Sequence, residues 1–396
     1  MLSLAERVYR IESSTTLEMT ARVAKIRSAG SDIINMAVGE PDFPTPDHII
    51  AAAKQAMDAG ETRYTPGPGL PTLRQAVALK LKRDNHIEVN PDQVIVCNGG
   101  KHALFNACMT LFQKGDEVVI FSPYWVSFPH LVKLAHATPV TAGTDAERQF
   151  EPCFDELESK LTSQTRGIIM NSPSNPTGGV WSWEATVRLI EIAHQHNLWL
   201  LSDECYEAFS YDMPSYSPAA LAPDYSKILT FQSCSKTFAM TGWQIGYMAG
   251  HREVVTAMSK IQGQSASCPN AISQRAAITA LTGNQSIVLA RKETLKQRRR
   301  LILDHLHQIP GIECRNPGGA FYVFVNVSGL FGKTANGRIL LTPKDVAEYL
   351  LTQARVATVS GEGFGDQEHI RLSYAVSEKD INIASDRIAS AVAHLN

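Results

Sequence analysis

The sequence predicts an α/β protein: a large domain with a mostly parallel sheet covered by helices on both faces, and a smaller α+β domain formed by both termini. Between residues 94 and 231, short apolar runs alternate with helical stretches of roughly 10–15 residues, a pattern typical of parallel sheets. A second alternation follows a long helical region, and 396 residues suffice for two domains. We expect an N-terminal segment, 1–45, that joins the small domain, a large domain, 46–290, and a small C-terminal domain, 291–396.

The composition excludes several classes of partner. The net charge is −2 and no long basic run occurs, so nucleic acid and membrane surfaces are poor candidates. No run of ~18 apolar residues could span a bilayer, and charges interrupt the N-terminus before a signal peptide could develop. The seven cysteines are scattered and form no CxxC pair. We therefore expect a cytoplasmic protein without disulfides or a metal site.

Helices separated by Pro/Gly-rich loops are expected in the N-terminal part of the chain. Asp47 is an N-cap candidate, and Tyr64 stands before a rigid loop of alternating Pro and Gly. The expected elements are a helix over the first thirty residues with a hydroxyl-rich interruption at 13–16, a strand at 33–36, a turn at 39–44, and helices at 47–60 and 71–85.

The middle of the chain supplies the strands of the large sheet, which we expect at 93–97, 117–121, 167–170, 198–202 and 228–231. In such sheets the ligand lies at the carboxyl ends of the strands. The residues at those ends are therefore candidate site residues: Gly99, Gly100, Trp125, Asn175, Asp203, Tyr206, Ser233, Ser235 and Lys236.

The C-terminal part predicts the smaller α+β domain. We found no internal repeat and no low-complexity tract. The expected elements are a helical region to about 307 with a break at 267–270, strands at 320–325, 356–359 and 369–374, a loop at 329–337, a helix at 343–354, a turn at 361–365 and a closing helix.

Lys236 is the residue around which the candidate site is arranged. An apolar run ends at Ser233 and Ser235, and the lysine follows at once. An amine in this place can hold an aldehyde as an imine, while hydroxyl and N–H groups hold a phosphate. Most lysines at strand ends are simply solvated. The residues at the other strand ends must therefore show whether Lys236 is functional.

Four of those strand-end residues suit a heteroaromatic ring. Asp203 can keep a pyridinium nitrogen protonated by charge pairing, which makes the ring an electron sink. Asn175 and Tyr206 can donate to a phenolate oxygen and lower the pKa of the imine. Trp125 offers a flat face for stacking.

Two further groups suit the charged ends of a cofactor and a substrate. Gly99 and Gly100 open a helix, whose N–H groups and positive end attract a phosphate. Arg371, in the other domain, can bind a carboxylate through two hydrogen bonds. Together these demands match pyridoxal 5′-phosphate (PLP) and an amino-acid substrate.

Each of these residues also has an ordinary structural explanation. Trp125 could be a core residue, Asp203 and Glu204 a strand-end charge pair, and the two glycines a common turn. If these structural explanations were all correct, the residues would lie at the same edge of one sheet only by coincidence. A shared ligand site is therefore the favoured interpretation.

Over essentially the whole chain, the sequence resembles the class I/II aminotransferases of PLP fold type I, and within them the bacterial aspartate aminotransferase subgroup. The motifs that carry the resemblance occur in order along the chain. They are Gly39-Glu40-Pro41-Asp42-Phe43, Tyr64 with its loop, Gly99-Gly100-Lys101-His102-Ala103-Leu104-Phe105-Asn106, Ser122-Pro123-Tyr124-Trp125-Val126-Ser127, Asn171-Ser172-Pro173-Ser174-Asn175-Pro176-Thr177-Gly178, Ser202-Asp203-Glu204-Cys205-Tyr206-Glu207, Ser235-Lys236 through Gly246, and Arg371-Leu372-Ser373-Tyr374.

The resemblance implies a role for each residue at the cofactor. Lys236 would be the Schiff-base lysine and proton shuttle, Asp203 would pair with the ring nitrogen, and Tyr206 would bind the ring oxygen, as would Asn175. Trp125 would stack on one face of the ring, with the residue at 205 on the other. The resemblance places the phosphate against Gly99, Gly100, Lys101, Ser233 and Ser235, with Tyr64 from the neighbouring subunit of a homodimer.

The resemblance also implies a substrate. Arg371, Asn175 and the Gly39 backbone would hold the α-carboxylate beside Trp125. Lys101, Ser14 and Thr16 occupy the places that recognise a distal carboxylate in the similar bacterial enzymes. We therefore expect aspartate or glutamate as amino donor and a 2-oxo acid as acceptor.

One residue departs from the family pattern. The family normally carries an arginine that pairs with the cofactor phosphate where this chain has Gln244. A glutamine brings no charge, whereas an Arg–phosphate pair is bidentate and charge-assisted. We therefore expect this chain to bind the cofactor more weakly than family members that carry the arginine. The alternative is that other donors to the phosphate, such as Lys101, compensate for its absence.

Three alternatives stay open. Another fold-type I reaction, such as β-elimination from a cysteine conjugate, would use the same Lys236 and Asp203. A transaminase with an aromatic or broad substrate range would share the whole cofactor site. A PLP-bound regulatory module is disfavoured because every catalytic position is filled and no DNA-binding extension is present.

Overall fold

The computed structural model describes residues 4–335 and 337–396, so residues 1–3 of the expected N-terminal segment and residue 336 of the expected loop lie outside it. The helices are α1 (Glu6–Tyr9), α2 (Thr15–Ser28), α3 (Asp47–Asp58), α4 (Pro71–Asn85), α5 (Gly100–Leu111), α6 (Phe128–Leu134), α7 (Phe154–Lys160), α8 (Trp183–Gln195), α9 (Pro218–Leu221), α10 (Cys234–Thr237), α11 (Arg252–Ser265), α12 (Ala271–Thr282), α13 (Ser286–Leu306), α14 (Pro343–Tyr349) and α15 (Glu378–Ala393). The strands are β1 (Ile34–Asn35), β2 (Val94–Cys97), β3 (Glu117–Ser122), β4 (Thr138–Asp145), β5 (Glu151–Pro152), β6 (Thr165–Asn171), β7 (Trp199–Asp203), β8 (Ile228–Ser233), β9 (Gly246–Ala249), β10 (Glu313–Cys314), β11 (Tyr322–Asn326), β12 (Thr334–Ala335), β13 (Arg338–Ile339), β14 (Val356–Ala357), β15 (Val359–Ser360) and β16 (His369–Ser373).

The large sheet has eight strands in the order β2-β9-β8-β7-β6-β3-β4-β5. The strands from β8 to β4 in this order are parallel neighbours, whereas β9 is antiparallel to β2 and β8, and β5 is antiparallel to β4. The register pairs Asn171 with Asp203 and Asp203 with Phe231. The expected mostly parallel sheet is confirmed, and its carboxyl ends form one edge.

Helices cover both faces of this sheet because successive side chains of a strand point to opposite faces. On β6, Ile169 packs in an apolar cluster with α5, α6 and α11, whereas Ile168 and Met170 pack in another with α8. Strands buried on both faces are continuously apolar, which is why the sequence shows these strands clearly.

The small domain is built on an antiparallel sheet in the order β10-β11-β16-β15. Helices α13, α14 and α15 pack in its apolar cluster through residues such as Leu303, Val346 and Ile388. Ile34 in the N-terminal segment pairs with Val356, so both ends of the chain contribute. The predicted boundary between residues 290 and 291 falls inside the continuous helix α13, and the boundaries stay predictions.

Some local elements differ from expectation. The expected interruption of the N-terminal helix falls at residues 10–14, between α1 and α2, and includes only the first two hydroxyl residues of the cluster, because Ser14 is the N-cap of α2 and Thr15 begins it. The sequence does not predict β4, since only Ala142 of this outer strand is buried and no apolar run marks it. The expected loop at 329–337 contributes to the short hairpin of β12 and β13.

No helix in the part of the chain described above is long and apolar enough to cross a bilayer. In the same residues, no group of three or more His, Cys, Asp or Glu side chains could hold a metal ion.

Candidate active site

A cavity of about 440 Å³ opens at the carboxyl edge of the large sheet, where the small domain faces it. This volume is in the range of small-molecule sites. Residues singled out from the sequence line it: Ser14, Thr16, Gly39, Gly99, Gly100, Lys101, Trp125, Asn175, Asp203, Cys205, Tyr206, Ser233, Ser235, Lys236, Gln244 and Arg371. It is also lined by polar residues to which the sequence assigned no role: Thr20, Glu40, Asn171, Gln232, Thr241 and Tyr322.

Lys236 lies in the short helix α10, directly after β8, and its amine reaches into the cavity. Its Nζ donates a hydrogen bond to the carbonyl oxygen of Gly39 at 2.5 Å. Burial lowers the pKa of the Lys236 amine, and the charge of Arg371 acts in the same direction. A lower pKa increases the neutral fraction of the amine, which is the form that attacks a carbonyl carbon.

Asp203 is the last residue of β7 and is buried. Its Oδ1 accepts a hydrogen bond from the backbone N–H of Cys205 at 3.2 Å, and Asn171 donates to its backbone oxygen at 2.9 Å. Burial raises the pKa of the Asp203 carboxyl to about 7, although the Cys205 N–H and the charge of Lys236 act to lower it. Within the described residues it forms no salt bridge, so a cation brought by a ligand would be its first close partner.

The turn that leads into α5 forms a concave end of the cavity. Gly99 has φ +90°, a conformation that favours glycine, and α5 begins at Gly100 with its N–H groups unpaired within the helix. A Cβ at Gly246 on β9 would overlap the backbone of Gly100, so the close approach of these segments requires glycine. Gln244 lies at the same end, and its Nε2 donates to the carbonyl oxygen of Thr241 at 2.9 Å.

Arg371 reaches the cavity from β16 and is almost completely buried. Its NH1 group donates to Asn175 Oδ1 and its NH2 group to the carbonyl oxygen of Ala37, both at 2.7 Å. Among the residues that the structure describes, its Nε has no hydrogen-bond partner. In the described parts of the chain no carboxylate pairs with it, so the guanidinium charge is buried without an anion.

Tyr206 and Tyr322 meet at the domain boundary, and their hydroxyl oxygens are 2.8 Å apart. The ring of Tyr322 also lies against Arg371, with 4.5 Å between the guanidinium carbon and the ring centroid. Sequence reasoning missed Tyr322 because it belongs to an apolar strand, Tyr322–Asn326, where an aromatic residue is typical of a core.

Lys101 also lines the cavity, with its Nζ 4.9 Å from the ring centroid of Trp125. Burial lowers the pKa of the Lys101 amine, and the charge of Lys236 adds to this effect. Ser14 and Thr16, at the start of α2, line the cavity as well. The lining of the cavity therefore includes a second amine and further hydroxyl groups.

Tyr64 is the predicted site residue that does not line the cavity of its own chain. Its side chain is 89% exposed. Its loop is nevertheless braced: Gln274 donates to Thr65 Oγ1 at 2.9 Å and accepts from the N–H of Leu70 at 2.7 Å. An exposed aromatic ring on a braced loop suits a contact with another molecule.

The chain matches the family model described as aminotransferase class I and II over residues 31–388. It is 40% identical to the aspartate/prephenate aminotransferase of Cereibacter sphaeroides, over 100% of both chains. Among solved structures, the aspartate aminotransferase from Rhizobium meliloti has a TM-score of 0.96 at 40% identity, with 100% of both chains covered. Aspartate aminotransferase from Thermus thermophilus with maleate has a TM-score of 0.92 at 39% identity, covering 99% of this chain and 100% of that one.

Proposed function

We propose that this chain, which belongs to the class I and II aminotransferases and is a transaminase, moves an amino group between a dicarboxylic amino acid and a 2-oxo acid with PLP bound at Lys236. The exchange of an amino group between an amino acid and a 2-oxo acid is the activity of this family. The cofactor, the substrate and the roles of individual residues are the parts that we propose.

The observation that carries the proposal is the unpaired charge of Arg371. A buried cation without a counterion is costly, and an anionic ligand removes that cost. Its bidentate geometry suits a carboxylate. Because this guanidinium faces the same cavity as the amine of Lys236, a ligand with a carboxylate and a carbonyl or amino group one carbon away can engage both.

The residues of the cavity fit PLP. The N-terminus of α5 with Ser233 and Ser235 suits a phosphate. The Asp203 carboxyl, whose pKa burial raises to about 7, would be stabilised as an anion by a protonated ring nitrogen. When bound, PLP supplies an electron sink for the electrons of the substrate Cα–H bond.

The chain's own residues would then do the following. Lys236 would hold the cofactor covalently and, once released by the substrate, carry the proton of the substrate Cα. Asn175 orients Arg371 through the 2.7 Å hydrogen bond, which fixes the direction of the substrate carboxylate. Tyr206 would donate to the ring oxygen of the cofactor.

The cation at Lys101 and the hydroxyls of Ser14 and Thr16 support a substrate with a second carboxylate, aspartate or glutamate. The names of the relatives from Cereibacter sphaeroides and Rhizobium meliloti, which include aspartate, agree with this assignment. We further propose a homodimer in which Tyr64 reaches the neighbouring site, and a cytoplasmic location in which the seven unpaired thiols stay reduced.

An assay of amino transfer to 2-oxoglutarate tests the substrate. We expect aspartate to be used far more efficiently than leucine, because leucine has no second carboxylate for Lys101. Comparable kcat/KM values for the two would contradict the dicarboxylic assignment. Release of a thiol, pyruvate and ammonia from a cysteine conjugate, without any acceptor, would identify β-elimination instead of transfer.

Lys236→Ala tests the covalent attachment. We expect this variant to fold, to lose the absorption band of lysine-bound cofactor and to lose turnover, because no other amine follows the Ser233–Ser235 strand end. Lys101→Ala is the matched control, since it removes the second amine of the cavity and should keep the band. Transamination by Lys236→Ala at a rate comparable with the natural protein would show that the lysine is wrongly assigned.

A further inference from the structure

Tyr322 joins two groups on which the proposed function depends. Its hydroxyl oxygen is 2.8 Å from that of Tyr206, and its ring lies 4.5 Å from the guanidinium carbon of Arg371. It lines the cavity from β11 of the small domain, whereas Tyr206 follows β7 of the large domain. The side chain is fully buried, so water does not compete for its hydroxyl.

The hydrogen bond between the two tyrosines has a direction that the proposed function determines. A phenol has a single O–H donor. If the O–H of Tyr206 donates its hydrogen bond to the ring oxygen of the cofactor, the Tyr206 oxygen can only accept a hydrogen bond from Tyr322. The two hydroxyls then form a chain in which Tyr322 donates to Tyr206 and Tyr206 donates to the cofactor.

The surroundings favour this direction. Arg371 lies over the Tyr322 ring, and a positive charge next to a phenol makes its O–H a stronger donor. Donation by Tyr322 in turn polarises the O–H of Tyr206, because hydrogen bonds in a chain strengthen one another in a low-dielectric interior.

We propose that Tyr322 is a positioning residue of this transaminase, which orients the hydroxyl proton of Tyr206 toward the cofactor and couples it to the carboxylate-binding Arg371. This inference rests on the proposed function, since it needs a cofactor oxygen as the final acceptor. The inference adds a connection between the two domains. Through it, a carboxylate bound at Arg371 affects the hydroxyl of Tyr206 beside the cofactor.

Several titratable groups act on the two hydroxyls. Burial raises the pKa of Tyr322 to about 12, and Arg371 and the Tyr206 hydroxyl oppose this rise while Cys205 and Glu40 add to it. Burial also raises the pKa of Tyr206, Tyr322 and Cys205 add to the rise, and Arg371 opposes it.

The test is a pH titration of the cofactor absorption in the loaded protein, which requires no turnover. Without the hydroxyl of Tyr322, Tyr206 stabilises the anionic ring oxygen less, so the lysine-bound nitrogen keeps its proton to a higher pH. We expect Tyr322→Phe to raise the midpoint by roughly 0.3–1 pH unit, the size expected of a weakened neutral hydrogen bond. Tyr374→Phe is the matched control, because this buried tyrosine of the same domain donates instead to the carbonyl oxygen of Ala320 and should leave the midpoint unchanged.

A double-mutant cycle separates a positioning role from a general effect on the structure. Tyr322→Phe should raise the midpoint in the natural background and add nothing in a Tyr206→Phe background, because the effect passes through Tyr206. An unchanged midpoint in Tyr322→Phe, an equal shift in both backgrounds, or an equal shift in Tyr374→Phe would each overturn the inference. A natural protein without any pH-dependent cofactor band would instead overturn the proposed function, and this inference with it.

Discussion

At the scale of single residues, burial sets the chemistry of the two groups that the proposed function needs most. It lowers the pKa of the Lys236 amine and raises the pKa of the Asp203 carboxyl to about 7. Both shifts favour the neutral form, since a low-dielectric interior disfavours charge. The amine is thereby made ready to attack a carbonyl carbon, while the carboxyl gains most from a ligand that brings a positive charge.

Asp203→Asn removes the group that would hold the ring nitrogen in its protonated state. We expect this variant to bind PLP but to lose turnover by several orders of magnitude, because a neutral amide cannot stabilise the protonated nitrogen. Glu204→Gln is the control: the neighbouring buried carboxyl does not line the cavity, and turnover should stay close to normal. A loss of only a few-fold in Asp203→Asn would rule out the assigned role.

Gln244 provides a second prediction at this scale. One of its two amide hydrogens is already donated to the carbonyl oxygen of Thr241, so only the other remains for a phosphate, and it brings no charge. We expect Gln244→Arg to bind PLP more tightly by about 1–3 kcal/mol, the range for a hydrogen bond to a charged group. PLP dissociation measured for the natural protein, for this variant and for the uncharged Gln244→Met decides the matter. Unchanged or weaker binding by the arginine variant would mean that other donors already compensate.

At the scale of elements, the end of β7 separates two buried carboxyls. Side chains alternate along a strand, so Asp203 faces the cavity while Ser202 and Glu204 lie on the other side. Glu204 accepts hydrogen bonds from Ser217 at 2.7 Å and from Ser202 at 2.9 Å. Gln232 of the adjacent β8 donates to it at 3.3 Å, so this network ties together the strand ends that carry the site.

Glu204 makes stability depend on pH. Burial raises its pKa from 4.5 to about 7, so the folded protein binds a proton that the unfolded chain has lost. The contribution of Glu204 to the free energy of unfolding is therefore largest below the pKa that this carboxyl has in the unfolded chain. It declines as the pH rises to about 7, by at most about 3 kcal/mol. We expect denaturant unfolding of Glu204→Gln to lack this decline. Glu184→Gln, which changes an exposed carboxylate, should behave like the natural protein, and identical pH profiles for all three would contradict the prediction.

At the scale of the whole molecule, the site is assembled between domains. Arg371 comes from the small domain and Asn175 from the large one, and the 2.7 Å bond between them crosses the boundary. Tyr322 and Tyr206 make a second such crossing. The exposed ring of Tyr64 lies outside the cavity of its own chain, and in the proposed homodimer it would extend the same organisation to a second copy.

Mixed dimers test that shared site. Tyr64→Ala alone should weaken PLP binding at every site, and Lys236→Ala should abolish the covalent linkage at every site. In a dimer with one chain of each kind, one site has both defects and the other has neither. We therefore expect half of the sites to bind PLP with normal affinity. No recovery on mixing, or a monomer in sedimentation, would exclude the shared site.

The fold class and most of the residues that line the cavity could be predicted from the sequence. The strands of the parallel sheet are buried on both faces and therefore apolar, and the polar residues that follow them must meet at one edge. Local patterns of this kind can be recognised in the sequence without knowledge of contacts between distant residues. That is why Lys236, Asp203, Trp125 and Asn175 could be selected before any geometry was known.

The side-chain contacts across the domain boundary could not be predicted in this way, because they depend on how the two domains pack. The sequence shows Tyr322 as one more aromatic residue in an apolar strand, and its bond to Tyr206 joins positions 116 residues apart. Likewise, nothing local to Arg371 reveals that its charge is buried without a carboxylate partner in the described residues. The pairing of side chains, their burial and the resulting pKa shifts depend on how distant segments pack. The periodicity of residues along the chain does not reveal this packing.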